Sequence, residues 1–222
     1  MFKKLFEPVA IGNMRIKNRI AMPAMHLGYA TKEGSVTDRL KNFYAERAKG
    51  GAGLLVIGGC FINPLGKARN NMLSIYDDKF IPGYKELAEV IKAHGAKSCV
   101  QLFHAGRLAP SDLIKMQPVA PSSLASRLTG ETPRELTVEE IQALEEEFAE
   151  GARRAKEAGV DAVELMASTG YLISEFLSPA TNKRTDRYGE NLEGRTRFLL
   201  EIIKCVRKKV GNYPIICRIS VE

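Results

Sequence analysis

Polar side chains recur immediately after the apolar runs of this 222-residue sequence. Gln101 and His104 follow one run, Thr169 and Tyr171 follow another, and Arg218 lies near the end of a third. An amide can both donate to and accept from the edge of a pyrimidine-like ring, and a guanidinium is a permanent cation that stabilises negative charge. These residue types favour a site for a flat ring with a polar edge.

The elements that carry these residues alternate between two patterns. Buried-strand runs lie at 19–22, 53–57, 98–103, 162–166 and 214–219, and amphipathic helical patterns separate most of them. Such alternation predicts a parallel sheet with right-handed crossovers. No G-x-G-x-x-G follows Met22, as a doubly wound dinucleotide fold would require, so a TIM-type barrel is favoured. A Gly12-Asn13 turn between two short apolar runs predicts an N-terminal β-hairpin that closes one end of the sheet.

The predicted barrel is incomplete. A full (β/α)8 barrel takes about 250 residues, whereas the sequence offers only about five strands. We expect residues 1–222 to form a single α/β domain, a TIM-type barrel truncated on its C-terminal side. In such barrels the active site lies at the C-terminal ends of the strands. Those positions hold Pro23, Ala24, Met25, His26, Gly58, Gly59, Cys60, Gln101, His104, Met166, Thr169, Tyr171 and Arg218.

Composition excludes several classes of function. The net charge is +7, but lysines and arginines alternate with glutamates instead of forming a basic block, so no nucleic-acid partner is expected. No apolar run reaches the roughly 20 residues of a membrane helix, and no secretion signal is present. The four cysteines are widely spaced, which predicts reduced thiols in a cytoplasmic protein and no metal site.

A long segment of the sequence resembles a known family. The order VEL at 163–165, GYL at 170–172, EFL at 175–177 and NKRTDRYG at 182–189 resembles the fourth strand and following loop of the old yellow enzyme family of FMN oxidoreductases. In that family's simple ene reductases, two imidazole or amide side chains that grip a substrate carbonyl correspond to Met166 and Thr169. The apolar residue and the retained Tyr resemble the branch of 2,4-dienoyl-CoA, bile-acid and enoate reductases.

The resemblance implies roles for particular residues. It implies that Pro23, Ala24 and Met25 line the FMN ring beside Gly59, that Gln101 bonds the pyrimidine portion, and that Arg218 faces N1. Tyr171 would donate a proton to the substrate, as a neutral phenol can. We place His26, Met166 and Thr169 on the substrate side of the ring, and the resemblance implies that Thr181, Asn182, Lys183 and Arg184 contact an acyl-CoA substrate.

The implied function is reduction of an activated C=C bond of a small-molecule substrate, with FMN as cofactor and NADH or NADPH as reductant. Later strands would bring a second catalytic histidine and the loops that hold the FMN phosphate. An iron-sulfur cluster and FAD are expected only in a longer parent protein. Two alternatives stay open: a catalytically inactive barrel fragment that forms a homo-oligomer over its open edge, and a flavin dehydrogenase resembling trimethylamine dehydrogenase.

Overall fold

The computed structural model describes residues 2–220 and contains a parallel five-stranded sheet with helices packed on its outer face. The strands are β1 (Val9–Ile11), β2 (Met14–Ile16), β3 (Ala21–Met22), β4 (Leu54–Phe61), β5 (Lys97–Phe103), β6 (Val119–Ala120), β7 (Arg134–Glu135), β8 (Ala162–Ala167) and β9 (Ile215–Ile219). The main sheet has the order β3-β4-β5-β8-β9, and β1 pairs with β2 in an antiparallel hairpin. The predicted incomplete barrel and its N-terminal hairpin are confirmed.

Six α-helices connect these strands within residues 2–220. They are α1 (Asp38–Lys49), α2 (Ile81–Lys92), α3 (Ser111–Ile114), α4 (Val138–Glu157), α5 (Leu172–Leu177) and α6 (Leu192–Val210). Side-chain caps fix several starts: Thr37 caps α1, and Thr137 forms a capping box with Glu140 at α4. No helix in this part of the chain is long and apolar enough to cross a membrane.

Both faces of the sheet are covered by apolar side chains. On the outer face, Val100 and Leu102 of β5 belong to the same buried cluster as Phe148 of α4 and Ile202 of α6. Burying each such side chain contributes about 1.5–3 kcal/mol. On the inner face, Met14 and Ile16 of the hairpin pack with Leu54, Val56, Cys99 and Ala162. The hairpin therefore closes the N-terminal end of the half-barrel and leaves the C-terminal end open.

Several element boundaries differ from those predicted. The first strand was predicted over 19–22, yet β3 is only Ala21–Met22. The Asn18 side chain accepts the Ile20 N–H and donates to the Gly51 carbonyl, which holds residues 18–20 in a turn before the strand begins. β4 continues to Phe61, four residues beyond the predicted end at 57, and its register with β5 shifts between Ile57 and Cys60. The glycines that predicted a strand end lie inside the strand.

The long loop predicted after β8 is also more ordered than expected. It contains α5, and α6 begins at Leu192, about one turn before Thr196, where the apolar pattern of residues 198–210 predicts the start of the helix. The Asn191 side chain accepts the Gly194 N–H at 2.9 Å, which caps the helix one turn earlier than the apolar pattern indicates. Likewise, the abundance of Pro, Ser and Gly over 109–133 predicts a loop, yet this segment contains α3 and β6.

A carboxylate pair lies between α4 and α6. The Tyr188 hydroxyl is 3.2 Å from Glu145 Oε1 and 2.7 Å from Glu201 Oε2, and Arg187 donates to Glu201 at 2.8 Å. Burial first, and then the charge of Glu201, raises the pKa of Glu145 to about 7. Burial acts to raise the pKa of Glu201 as well, but the Tyr188 hydrogen bond and the Arg187 charge outweigh it. Below about pH 7 the pair therefore retains one proton, on Glu145.

Loss of this proton lowers the stability of the fold as pH rises. Because the folded pKa of Glu145 lies above its ordinary value of 4.5, the folded state binds the extra proton between pH 4.5 and about 7, and stability is lost as pH rises through that window. Glutamine cannot ionise. We expect Glu145→Gln to raise the free energy of unfolding at about pH 8 by about 1 kcal/mol, allowing for solvent screening. Urea denaturation of both proteins at about pH 5 and 8 checks this prediction.

The control is Glu146→Gln, on the outer side of the same helix, where the nearest cation, Lys209 Nζ, is 3.9 Å away. We expect it to leave the pH dependence of stability as in the wild type. Equal losses of stability between the two pH values in wild type and Glu145→Gln would contradict the assignment of the proton to Glu145.

Candidate active site

A pocket of about 200 Å³ opens at the C-terminal end of the sheet. Every strand of the main sheet, or the loop that follows it, contributes to its wall. Of the predicted site residues, the pocket brings together Ala24, Met25, His26, Gly59, Gln101, Met166, Thr169, Tyr171 and Arg218. Pro23 immediately precedes this wall and is exposed. The alternation rule for strands and the strand-end rule for parallel barrels together account for this convergence.

Three adjacent strands, β5, β8 and β9, supply the polar floor of the pocket. The sheet register places Gln101 beside Glu164 and Met166 beside Arg218. Gln101 Nε2 donates to Glu164 Oε1 at 2.6 Å, which turns the amide oxygen of Gln101 away from Glu164. Burial raises the pKa of Glu164, against the opposing effects of the Gln101 hydrogen bond and the Arg218 charge. The floor thus presents an oriented amide and a cation.

Glycines bring the backbone of β4 close to its neighbours. A Cβ added at Gly58 would lie 2.8 Å from Gln101 Cβ and 2.9 Å from Ala24 Cβ, both too close for a real contact. A Cβ at Gly59 would lie 3.1 Å from the Phe103 ring. Only glycine therefore fits at Gly58, and the absence of side chains here leaves a flat wall that a planar ring can approach.

Tyr171 lines the pocket beside Phe103. Its ring packs edge-on against Phe103, with a centroid separation of 4.4 Å and an interplanar angle of 69°. Tyr171 also forms the N-cap of α5, and its carbonyl accepts the Glu175 N–H at 2.8 Å. Within residues 2–220 its hydroxyl makes no hydrogen bond. The phenol is therefore positioned by its ring and backbone, and its proton is available to a ligand.

Thr169 occupies a sharp turn beside Tyr171. Its φ is 64°, a left-handed conformation that non-glycine residues rarely adopt, and its N–H donates to Ser220 Oγ at 3.3 Å. Its hydroxyl lies 3.1 Å from that of Ser168. Met166 packs with Phe103 and Tyr171 in the apolar part of the wall. This side of the pocket therefore offers two hydroxyls, those of Thr169 and Tyr171, in an otherwise apolar surface.

His26 and Arg69 form the rim of the pocket. Partial burial, followed by the positive charge of Arg69, lowers the pKa of His26, so the imidazole is neutral near pH 7. Arg69, Ala68 and Met72 were not predicted, because they lie on the irregular segment between β4 and α2, where no periodicity marks a residue. Phe103 was also missed, although it is two residues beyond Gln101 and so shares its face of β5.

His104, which the strand-end rule selects, lies outside the pocket. It is buried, its Nδ1 accepts the Gly106 N–H at 3.0 Å, and burial lowers its pKa to about 3. A Cβ at Gly66 would lie 2.7 Å from its ring. His104 is therefore a neutral packing residue that holds its own loop.

The four residues 181–184 also lie outside the pocket. Asn182 Nδ2 donates to the carbonyls of Phe176 and Tyr188, at 2.8 and 2.7 Å. Lys183 Nζ bonds the carbonyl of Pro179 at 2.6 Å. Of the four, Thr181 reaches a neighbouring cavity, of about 520 Å³, which it shares with Thr169.

Arg184 is the most deeply engaged of these four residues. Its guanidinium donates to the carbonyls of Pro121 and Leu136, at 3.0 and 2.7 Å, and bonds the carboxylate of Asp186. Its side chain is only 5% exposed. Asn182 and Arg184 thus hold the loop together in this structure, and substrate contact by residues 181–184 stays a prediction.

Known proteins resemble this chain in sequence and in fold. The chain is 54% identical to a "Metal reductase" of Desulforamulus reducens over 217 residues, 97% of this chain and 32% of the relative. Among solved structures, a complex of 2-naphthoyl-CoA reductase superposes with a TM-score of 0.94 at 37% identity, covering 98% of this chain and 35% of the other. An old yellow enzyme homologue from Zymomonas mobilis superposes with a TM-score of 0.92 at 32% identity, covering 97% of this chain and 63% of the other.

The chain therefore spans between a third and two thirds of the length of the proteins that it matches. The resemblance to old yellow enzymes is confirmed. The family model for NADH:flavin oxidoreductases and NADH oxidases matches residues 4–222. This chain belongs to the NADH:flavin oxidoreductase / NADH oxidase family.

Proposed function

We propose that residues 1–222 form the FMN-binding N-terminal part of a barrel reductase that reduces an activated C=C bond with NADH or NADPH. The observation that carries this proposal is that Tyr171 lines a pocket whose floor holds Gln101 and Arg218. Family membership supports the flavin and the nicotinamide reductant.

The residues present fit a flavin ring. The Gly58-Gly59 segment leaves a wall without side chains, and Ala24 and Met25 supply apolar surface beside it. Gln101 presents an amide oxygen, and Arg218 a cation, to the polar edge of a ring lying on the floor. When FMN is bound, the chemistry it supplies is hydride transfer from the nicotinamide to the substrate.

The protein's own residues then orient the ring and the substrate. Arg218 compensates negative charge at the edge of the ring, and Gln101 fixes its orientation. Phe103 and Met166 keep water from the reacting face. Reduction of a C=C bond consumes one hydride and one proton, and Tyr171 donates the proton to the carbon that does not receive the hydride.

The substrate class is an enoyl or dienoyl thioester, or a similar enone, in which a carbonyl activates the double bond. Thr169 offers the substrate a hydroxyl beside that of Tyr171, and Met166 leaves the remainder of this wall apolar. Such a wall suits a conjugated substrate with a single carbonyl oxygen to bind. The structurally similar 2-naphthoyl-CoA reductase is a complex with an aromatic thioester, which supports the same class here.

Flavin retention tests the proposed function. We expect the purified chain, mixed with excess FMN and desalted, to keep a flavin absorbance spectrum that bleaches on anaerobic addition of NADH or NADPH. Gln101→Ala and Arg218→Gln each remove one charged or polar contact to the ring, and we expect each to weaken FMN binding about tenfold. Fluorescence titration of FMN measures the dissociation constants.

The matched control is Lys208→Gln, an exposed cation on α6 far from the pocket, which we expect to bind FMN as the wild type does. A colourless wild-type chain would contradict the proposal for this chain. Unchanged FMN affinity in both pocket variants would contradict the placement of the ring on the floor.

A further inference from the structure

Of the carboxyl groups that are buried among residues 2–220, one bonds a residue of the pocket. The buried acidic residues are Glu145, Glu164 and Glu175. Glu145 bonds the Tyr188 hydroxyl and Glu175 accepts the Arg107 N–H at 3.0 Å, and neither partner lines the pocket. Glu164 instead accepts from Gln101, which does line it. Because burying a carboxylate costs free energy, Glu164 is the buried acid whose cost falls at the site.

Glu164 lies one layer below the floor of the pocket. It precedes Met166 by two residues on β8, so both side chains are on the inner face of the sheet, but only Met166 reaches the pocket lining. In the layer of Glu164, the sheet register places Gln101 of β5 on one side and Ile216 of β9 on the other. Ile216 packs with the apolar cluster that the hairpin covers. Within its own layer Glu164 therefore has one polar neighbour, the Gln101 amide.

The Gln101 amide has a defined orientation. Its Nε2 donates to Glu164 Oε1 at 2.6 Å, while its Oε1 lies towards β4, 3.3 Å from the position that a Cβ of Gly58 would take. Among the described residues no donor bonds this oxygen. An ionised carboxylate has no hydrogen to donate, so Glu164 can bond only the NH2 group of Gln101. A half-turn of the amide would break this bond, so Glu164 keeps Oε1 and the second N–H of Gln101 available to a ligand.

We propose that Glu164 is a positioning residue for flavin recognition: it holds the Gln101 amide so that Oε1 accepts the N3–H of the flavin pyrimidine ring. This inference rests on the proposed function and deepens it by assigning a role to a residue that does not line the pocket. An amide turned the other way presents its N–H to the ring N–H and loses the hydrogen bond. Glu164 removes that orientation before the ring binds, which is preorganisation.

The charge of Glu164 acts in the opposite direction to its effect on orientation. Arg218 lies beside Met166 in the layer above, and its charge opposes the burial that raises the pKa of Glu164. Neutralising Glu164 leaves the positive charge of Arg218 uncompensated towards the ring, and by electrostatics alone this strengthens the binding of an electron-rich ring. Releasing the Gln101 amide weakens binding. The sign of the change in FMN affinity therefore distinguishes orientation from charge.

Fluorescence titration of FMN at about pH 8, where a carboxyl group is ordinarily ionised, tests this role. Glu164→Gln keeps the shape of the side chain, but the introduced amide can bond either end of the Gln101 amide, so we expect FMN to bind about fivefold more weakly. Glu164→Gln combined with Gln101→Ala should bind FMN as Gln101→Ala alone does, because Glu164 acts through Gln101. The matched control is Glu147→Gln, which alters another 2.6 Å carboxylate–amide bond, to Asn63 Nδ2 and away from the pocket, and should leave the affinity unchanged.

N3-methyl FMN is the second probe, because it has a methyl group in place of the N3 hydrogen. We expect the wild type and Glu164→Gln to bind it with affinities within about twofold of each other, since the hydrogen bond that Glu164 prepares cannot form in either. An equal loss of affinity for FMN and for N3-methyl FMN would indicate a damaged pocket and overturn the role of Glu164. Tighter FMN binding by Glu164→Gln, or a double variant weaker than Gln101→Ala, would also overturn it. A wild-type chain that binds FMN no better than Glu164→Gln contradicts this inference alone, whereas a wild-type chain that binds no FMN contradicts the proposed function as well.

Discussion

Tyr171→Phe is expected to slow reduction of the substrate by about 10²- to 10³-fold, the usual contribution of a positioned general acid. The variant keeps the aromatic ring that packs at 4.4 Å against Phe103, so the pocket retains its shape. Only the hydroxyl is lost, and that hydroxyl makes no hydrogen bond within residues 2–220, so its removal leaves no partner unsatisfied. The effect should therefore fall on proton transfer and leave folding and flavin binding unchanged.

Rapid-mixing kinetics separate the two half-reactions. Reduction of the flavin by NADH or NADPH needs no proton from Tyr171 and should keep its wild-type rate, whereas reoxidation by an enone or enoyl thioester should slow. The control is Tyr76→Phe, which removes a phenol hydroxyl from a ring packed between Phe61 and Phe80, away from the pocket lining. Equal slowing of both half-reactions, or no slowing of reoxidation, would show that Tyr171 is not the proton donor.

Arg184→Ala should have the second largest effect, and it should appear in stability. The substitution leaves the buried carbonyls of Pro121 and Leu136 without a donor and the Asp186 carboxylate without its cation. Each unsatisfied buried carbonyl costs about 1–3 kcal/mol, so we expect the free energy of unfolding to fall by about 3 kcal/mol. Urea denaturation measures this loss.

The same variant distinguishes a structural role from the substrate contact that the family resemblance implies. A residue that binds substrate would raise KM and leave stability near the wild type. Lys183→Ala, the neighbouring substitution at an exposed side chain, is the control and should lose little stability. If Arg184→Ala instead folds with wild-type stability and a raised KM, the loop contacts described above do not hold the protein together.

Some residues of this site could be predicted from the local sequence pattern. Gln101 and Arg218 were found because a polar residue inside or at the end of an apolar run must face either the core or a site, and in a parallel barrel the strand ends face one site. Tyr171 was found through a motif that extends over about thirty positions. These residues can be predicted from sequence because strand alternation and strand-end position depend on near neighbours in the chain.

Other members of the site required the tertiary structure. Arg69 and Met72 lie on an irregular segment whose path is set by packing against distant residues, and no sequence period records that path. The same reason explains why β4 passes through Gly58-Gly59: the close approach of Gln101 and Ala24 demands glycine there, although glycine in isolation indicates a strand end.

The sequence by itself determined the five strands of the main sheet, the helical patterns between most of them, the hairpin and the family, because each depends on periodicity or on a contiguous motif. Only the tertiary structure decided which polar residues face the pocket and which face the protein. His104 and Arg184 have the residue types of a site, yet the partner of His104 is the Gly106 N–H of its own loop, and that of Arg184 is the distant Leu136 carbonyl. Which of these side chains faces the pocket depends on packing against residues far away in sequence, and local pattern carries no record of that packing.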